Sequence, residues 1–162
     1  MFRRDNIFQE LGGTIILWVH RLTNDPLDAQ SPPELTISTP SSTGSYLVVS
    51  LDIDAPFQSF NVLGPILHWI QPGLKQTEGT STLTTSEPFV ANYISPAPPP
   101  GASPHRYFFF LYEQPADFDG KKYAPPNNKN LGNWSRMRYD LDAWEKEAKL
   151  SAPVAVNYFT SN

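Results

Sequence analysis

Two carboxylates and two imidazoles are the groups best able to move protons. Asp52 and Asp54 lie two residues apart in VVSLDIDAPF (48–57), where an apolar, β-like run is stopped by Pro56. If strand geometry persists through them, both side chains leave one face, and two acids so close cannot both ionise freely unless a cation sits between them. His68 is flanked by Leu67 and Trp69 in ILHWI, and His105 opens HRYFFF. An imidazole in such surroundings is at least half-buried and needs a partner for each nitrogen, for which a carboxylate at the end of the Asp52 strand is the obvious source. Gathered together, these groups suit general acid–base chemistry. Read singly, the same acids cap a turn before proline, and the same histidines are satisfied core residues. His20, at the end of the first apolar segment, reads as exposed or structural.

Other chemistries find less support. No cysteine occurs, which removes disulfides, thiolate metal sites and cysteine nucleophiles together. No HxH, HxxxH or HExxH spacing assembles a zinc or iron shell, so no metal is assigned, and no cofactor either. A serine nucleophile lacks its G-x-S-x-G elbow. The net charge is −4 with no basic block, so neither nucleic acid nor an acidic membrane surface is an expected partner. The run TIILWV (14–19) is too short to cross a bilayer, and Asp5, Asn6 and Glu10 interrupt the stretch after Arg3 and Arg4. Neither membrane insertion nor a secretory leader is expected, and the cytoplasm is the default location.

The elements that must position these groups are mostly strands. With 162 residues, 40% hydrophobic and 13% aromatic, the chain can bury one sizeable core and reads as a single domain, 1–162. Its 17 prolines argue against a helical bundle, because each interior proline removes a backbone donor. Strands are expected at 14–20, 34–39, 45–53, 66–71, 89–94, 106–114 and 154–159, each rich in β-branched or aromatic residues and bounded by turn residues. RYFFFLY shows no polar alternation, which suggests a central strand covered on both faces. A helix is expected over 141–150, capped by Asp140 with Leu141, Trp144 and Ala148 on one face, and a shorter one over 6–11. Segments 24–33, 38–44, 75–87 and 96–104 read as loops. In the last of these the prolines fix an extended approach to His105, better suited to a rigid pocket wall than to an exposed peptide ligand.

Taken in order, D-x-D-A-P (52–56), LHW (67–69) and P-x-P-P-P-G-x-x-x-H-R-Y (96–107), leading into FFFLYEQP (108–115), resemble the phosphatidylethanolamine-binding protein family. The likeness runs from PPELTI (32–37) to W-x-x-x-x-x-L-x-x-P-V-A-x-N-Y-F (144–159) and looks most like short fungal members. It implies an antiparallel β-sandwich with a few peripheral helices and a small pocket at one end for carboxylate or phosphate-like anions. Matched residue by residue, it places Asp52, Pro56, His68, His105 and Tyr107 in that pocket. Asp52 would orient the histidines and share a proton, while Asp54 would pin the loop through backbone hydrogen bonds.

The chain departs from the family pattern at Ile53, Phe57, Leu63 and Ala97, where a proline, a small polar residue, a tyrosine in some members and a glycine are usual. These changes place Phe57, Leu63 and Ala97 at an apolar rim and favour a hydrophobic organic acid over a phospholipid headgroup. The expected function is binding of a small anionic organic molecule, with a protein partner as a further option. The alternative is an enzyme or accessory protein of fungal secondary metabolism, in which Asp52, His68, His105 and Tyr107 assist isomerisation, cyclisation or dimerisation of a polyketide-type acid or anhydride. A weaker alternative is regulation of kinase signalling by protein binding.

Overall fold

The computed structural model describes residues 15–20, 31–38 and 44–161. The strands are β1 (Leu17–His20), β2 (Glu34–Ile37), β3 (Tyr46–Asp52), β4 (Ile66–Gln76), β5 (Thr82–Thr84), β6 (His105–Glu113) and β7 (Ala155–Ser161). They pair antiparallel throughout, in the order β1-β2-β5-β4-β3-β6-β7. The two ends of that order meet, with Asn157 Nδ2 donating to the Leu17 carbonyl at 2.7 Å. The fold is therefore an antiparallel sandwich, and its inner face gathers Leu17, Leu35, Ile37 and Leu83 against Tyr46, Val48, Trp69, Phe109 and Leu111.

The covering of both faces expected of RYFFFLY is complete in β3, whereas in β6 Arg106, Phe108 and Phe110 are only half-buried. Tyr46 and Val48 enter that inner core, whereas Leu47, Val49 and Leu51 enter a second one on the opposite face, so every residue of the strand is buried. The second core is closed by α1 (Leu141–Glu147), which contributes Trp144, with Ala148 just beyond it. The Asp140 carboxylate caps the helix by accepting from Ala143 N at 2.9 Å. It ends before the expected Leu150 because Lys149 takes a left-handed φ of 56° and the Leu150 N–H turns back to Glu145 O at 2.9 Å. Tyr112 Oη donates to Glu145 at 2.6 Å and fastens the helix to β6.

Two expectations change. β4 does not stop at Gln71 but runs on to Gln76, passing from β3 to β5 across Pro72–Gly73. Between Val48 and Tyr46 the register advances two residues on β3 and three on β4, a bulge that accommodates the proline's missing N–H. Gly73 sits there at φ 70°, a left-handed backbone that favours glycine, and a Cβ would make the exposed Glu87 side chain shift. β5 consequently falls inside the expected loop 75–87.

Segment 89–94 is not a strand: it makes only an isolated bridge, Ala91 to Ile70. Its N–H groups at Val90, Ala91 and Ile94 reach the Ile70 and His68 carbonyls, and beyond them the Arg136 guanidinium takes the Leu67 carbonyl at 3.0 Å and the Asn92 carbonyl at 3.0 Å, so the pairing does not continue as a ladder. The expected helix over 6–11 lies outside the described residues. Among the described residues no helix is long and apolar enough to cross a membrane.

Candidate functional site

One end of the sandwich brings the last residue of β3 beside the first residues of β4 and β6, since Asp52 pairs with Ile66 on one side and Tyr107 on the other. Asp52 Oδ2 accepts from His105 Nδ1 at 2.8 Å, and its Oδ1 accepts the Asp54 backbone N–H at 2.9 Å. Because a carboxylate only accepts, Nδ1 carries the proton in this pair, and a neutral ring then presents Nε2 as an acceptor. His105 is 1% exposed and its Nε2 has no hydrogen-bond partner.

Asp54 does not share that face. β3 ends at Asp52, and the chain bends so that the Asp54 carboxylate meets Arg106, accepting from its backbone N at 2.8 Å, Nε at 2.9 Å and Nη2 at 2.8 Å. Burial alone would raise the Asp54 pKa, but the Arg106 side chain and backbone donors outweigh it and hold the carboxyl below its ordinary value.

His68 reaches the same place through a second bulge. From Ser50 to Leu51 the register advances one residue on β3 and two on β4, leaving His68 as the extra residue between Trp69 and Leu67. Such a bulge re-aims a side chain. Its Nδ1–H donates to the Ile94 carbonyl at 2.8 Å, and its carbonyl accepts the Ile94 N–H at 3.0 Å. Burial depresses the His68 pKa; the Ile94 carbonyl and Asp52 pull it up, while Arg136 and His105 push it down. The ring is thus neutral near pH 7.

Arg136 is the functional candidate that sequence reasoning missed. It is 1% exposed and donates to the carbonyls of Leu131 (3.2 Å), Leu67 (3.0 Å) and Asn92 (3.0 Å), and to Asn92 Oδ1 (2.6 Å). Among the described residues no carboxylate pairs with it. In NWSRMRY nothing distinguishes it from Arg138, which is exposed.

These groups border a cavity of about 240 Å³. Of the expected site residues, Asp52, Pro56, His68, Ala97 and His105 line it. Tyr107 lies behind the wall, buried, with its ring 5.0 Å edge-on from His68 and stacked at 6.5 Å on His105. Phe57 and Leu63 also lie off the wall, because the chain after Pro56 folds into a turn in which Phe57 bridges to Phe60. The remaining wall is Ala55, Ile66, Ile94, Pro99 and Met137, with Ser95, Asn133 and Arg136 as further polar members. Among the described residues no three His, Cys, Asp or Glu side chains converge as a metal shell.

A family model described as phosphatidylethanolamine-binding protein matches residues 10–159. The chain belongs to the phosphatidylethanolamine-binding protein family. Within the family it is 35% identical over 150 residues to phomoidride biosynthesis cluster protein N of Talaromyces stipitatus, covering 82% of this chain and 72% of that one. It is 28% identical over 143 residues to the carboxypeptidase Y inhibitor of Saccharomyces cerevisiae, covering 80% of this chain and 65% of the inhibitor, just under two thirds of its length. The crystal structure of carboxypeptidase Y inhibitor complexed with its cognate proteinase superposes with a TM-score of 0.70 at 25% identity, over 91% of this chain and 82% of that one. A phosphatidylethanolamine-binding protein from Plasmodium vivax shares the fold, with a TM-score of 0.62 at 12% identity over 90% of this chain and 84% of that one.

Proposed function

We propose that this family member binds a small organic anion with a hydrocarbon body. The observation that carries the reading is the cavity itself, which combines mostly apolar walls with a buried guanidinium that no described carboxylate neutralises. Asp52 on the same wall opposes an anion, its charge only solvated by the His105 Nδ1–H and the Asp54 N–H, and Arg136 offsets it. Either imidazole adds a second positive charge when protonated. At about 240 Å³ the space is smaller than the ~300–1,000 Å³ typical of drug-sized ligands, which suits a compact acid. Calorimetry with benzoate and its neutral isostere benzamide tests this. Binding of the acid in preference to the amide, weakened in His105→Ala, is expected. Equal binding of both compounds, or an unchanged affinity in the variant, overturns it.

A second reading rests on the Asp52–His105 pair. A carboxylate on Nδ1 and an unpartnered, buried Nε2 on a cavity-lining ring is the arrangement of an oriented general base. The relative named as a phomoidride biosynthesis cluster protein turns this reading toward a biosynthetic step. In such an enzyme Asp52→Asn loses about 10²–10⁴-fold in rate while the substrate still binds. Product formation beside calorimetric affinity separates the two readings: an Asp52→Asn variant that keeps or gains affinity for the acid, with no turnover above buffer in the wild type, leaves the binder.

A further inference from the structure

The donors fixed around the cavity are already engaged. A guanidinium has five N–H groups, and those of Arg136 all face oxygens of the protein: Nε the Leu131 carbonyl, Nη1 the carbonyls of Leu67 and, at a long 3.5 Å, His68, and Nη2 the Asn92 carbonyl and Oδ1. A bound molecule therefore feels the charge of Arg136 as a field and finds no N–H of it to accept from. The His105 Nδ1–H and the Asp54 backbone N–H are taken as well, both by Asp52.

What the cavity wall holds open is an acceptor. His68 Nδ1 lies 2.8 Å from the Ile94 carbonyl, which can only accept, so the proton stays on Nδ1 and the neutral ring turns a lone pair outward at Nε2. Among the described residues nothing hydrogen-bonds to that Nε2. His105 Nε2 is fully buried, whereas His68 Nε2 is open to the cavity that His68 lines. The ring cannot swing away, since the Ile94 carbonyl grips one edge and Tyr107 packs edge-on at 5.0 Å. Asp52, on the same wall, is a second acceptor, with capacity left on each oxygen after its bonds to His105 and Asp54. Ser95 and Asn133 are of types that serve either way, and Ala55, Ile66, Ile94 and Met137 add hydrocarbon.

We propose that the ligand of this cavity carries a hydroxyl that donates to His68 Nε2, so that the site selects hydroxylated organic acids ahead of simple carboxylates. Asp52 turns a carboxylate group away from that spot, yet it leaves a neutral hydroxyl free to enter, and the Arg136 field acts on the ligand's charge without a contact. A ligand that covers Nε2 without a donor leaves a buried acceptor unmet, which makes His68 the residue that discriminates. The inference rests on the pocket reading for the anionic part of the ligand and adds the neutral part.

The test is calorimetry of the full chain with 3- and 4-hydroxybenzoate, their methyl ethers and benzoate, with phenol and anisole as uncharged counterparts. The better hydroxybenzoate should bind about fivefold or more tightly than both its methyl ether and benzoate. Salicylate, whose hydroxyl bonds its own carboxylate, should show no such gain. His68→Phe keeps a ring at the wall and should erase the gain. Should that variant fail to fold, nitrogen NMR of the wild type reads the same contact: the His68 Nε2 resonance should move on addition of the hydroxy acid, with the ring still neutral, and stay in place with the methyl ether. Equal binding of hydroxy acid and ether, a gain that survives His68→Phe, or an unmoved Nε2 resonance overturns the proposal, and the pocket reading then stands if benzoate is still preferred to benzamide. Phenol binding ahead of anisole without any binding of benzoate overturns the anion reading and keeps the hydroxyl. Binding of none of these compounds overturns both.

Discussion

Replacing Arg136 by methionine separates its charge from its packing. Loss of the guanidinium removes donors from the Leu131, Leu67 and Asn92 carbonyls, and at roughly 1–3 kcal/mol for each unsatisfied group the penalty is about 3–9 kcal/mol. Relief from burying a charge offsets part of that, which brings the expected loss toward about 3 kcal/mol, within the ~5–15 kcal/mol of a domain of ordinary stability. The effect on a ligand follows from Coulomb's law. A sphere of the cavity's 240 Å³ is about 8 Å across, and a unit charge at that distance under an effective dielectric of ~20 feels about 2 kcal/mol. The Arg136→Met variant should therefore bind benzoate about 30-fold more weakly while benzamide binding barely moves. Arg136→Lys keeps the charge and should keep most of the discrimination. Calorimetry on the three proteins, with urea unfolding beside it, gives both quantities. Equal loss for acid and amide would show a purely structural arginine, and unchanged benzoate affinity would refute the field argument.

Three further outcomes are expected. An anion beside His68 raises its depressed pKa, so binding takes up a proton and carboxylate affinity rises as pH falls through 6.5; calorimetry in buffers of different ionisation enthalpy reads that uptake, and a pH-independent affinity refutes it. The unliganded protein runs the other way: with the folded pKa of His68 below 6.5, its contribution to stability is full above that pH and is lost as pH falls toward the folded value, visible as a falling urea midpoint. Asp54→Ala should destabilise by about 1.5–3 kcal/mol and more than Asp52→Asn, because it strips three donors of their acceptor, discounted for the half-exposed Arg106 side chain; equal or reversed losses count against this division. Gly73→Ala should lower thermal stability more than Gly101→Ala, since both have positive φ but Gly73 is fixed within β4 with its N–H on Gln114 Oε1, whereas Gly101 lies in a loop; similar shifts would sink that argument.

Much of this was legible in the chain because apolar strands announce themselves. YLVVSLD and RYFFFLY are β-branched or aromatic runs, and both are inner strands of the sheet, flanked on each side. The capping Asp140 and the inward Trp144 and Ala148 were equally plain. What escaped depends on register. Pro72–Gly73 reads locally as a stop, yet a bulge lets β4 continue, and only pairing with β5 reveals it. FVANYI carries strand composition, but a distant guanidinium occupies carbonyls along its edge, and local propensity holds no trace of that. Asp52, His68 and His105 could be singled out by residue type, whereas Arg136 could not, because its burial is set by carbonyls as many as 69 positions away.

The segment along 89–94 and the Arg136 guanidinium share the edge of β4. The segment's own N–H groups reach the Ile70 and His68 carbonyls, Tyr93 packs on Trp69, and Arg136 takes the Leu67 carbonyl, while Ile94 both donates to the His68 carbonyl and accepts from its ring. That grip fixes the tautomer of the imidazole lining the cavity. Because carbonyl dipoles solvate the guanidinium without cancelling its charge, a positive charge stays at the wall with no described carboxylate paired to it, opposed only by Asp52 on the same cavity. A carboxylate placed beside Arg136 would stabilise the fold just as well and abolish the field. The role in the fold and the role at the cavity are therefore separable by one change: Asn92→Asp retains an acceptor for Nη2 and supplies the counter-charge. It should leave urea stability within about 1 kcal/mol and remove most of the preference for benzoate over benzamide. A variant that is equally stable and equally selective would show that the selectivity arises from the imidazoles alone.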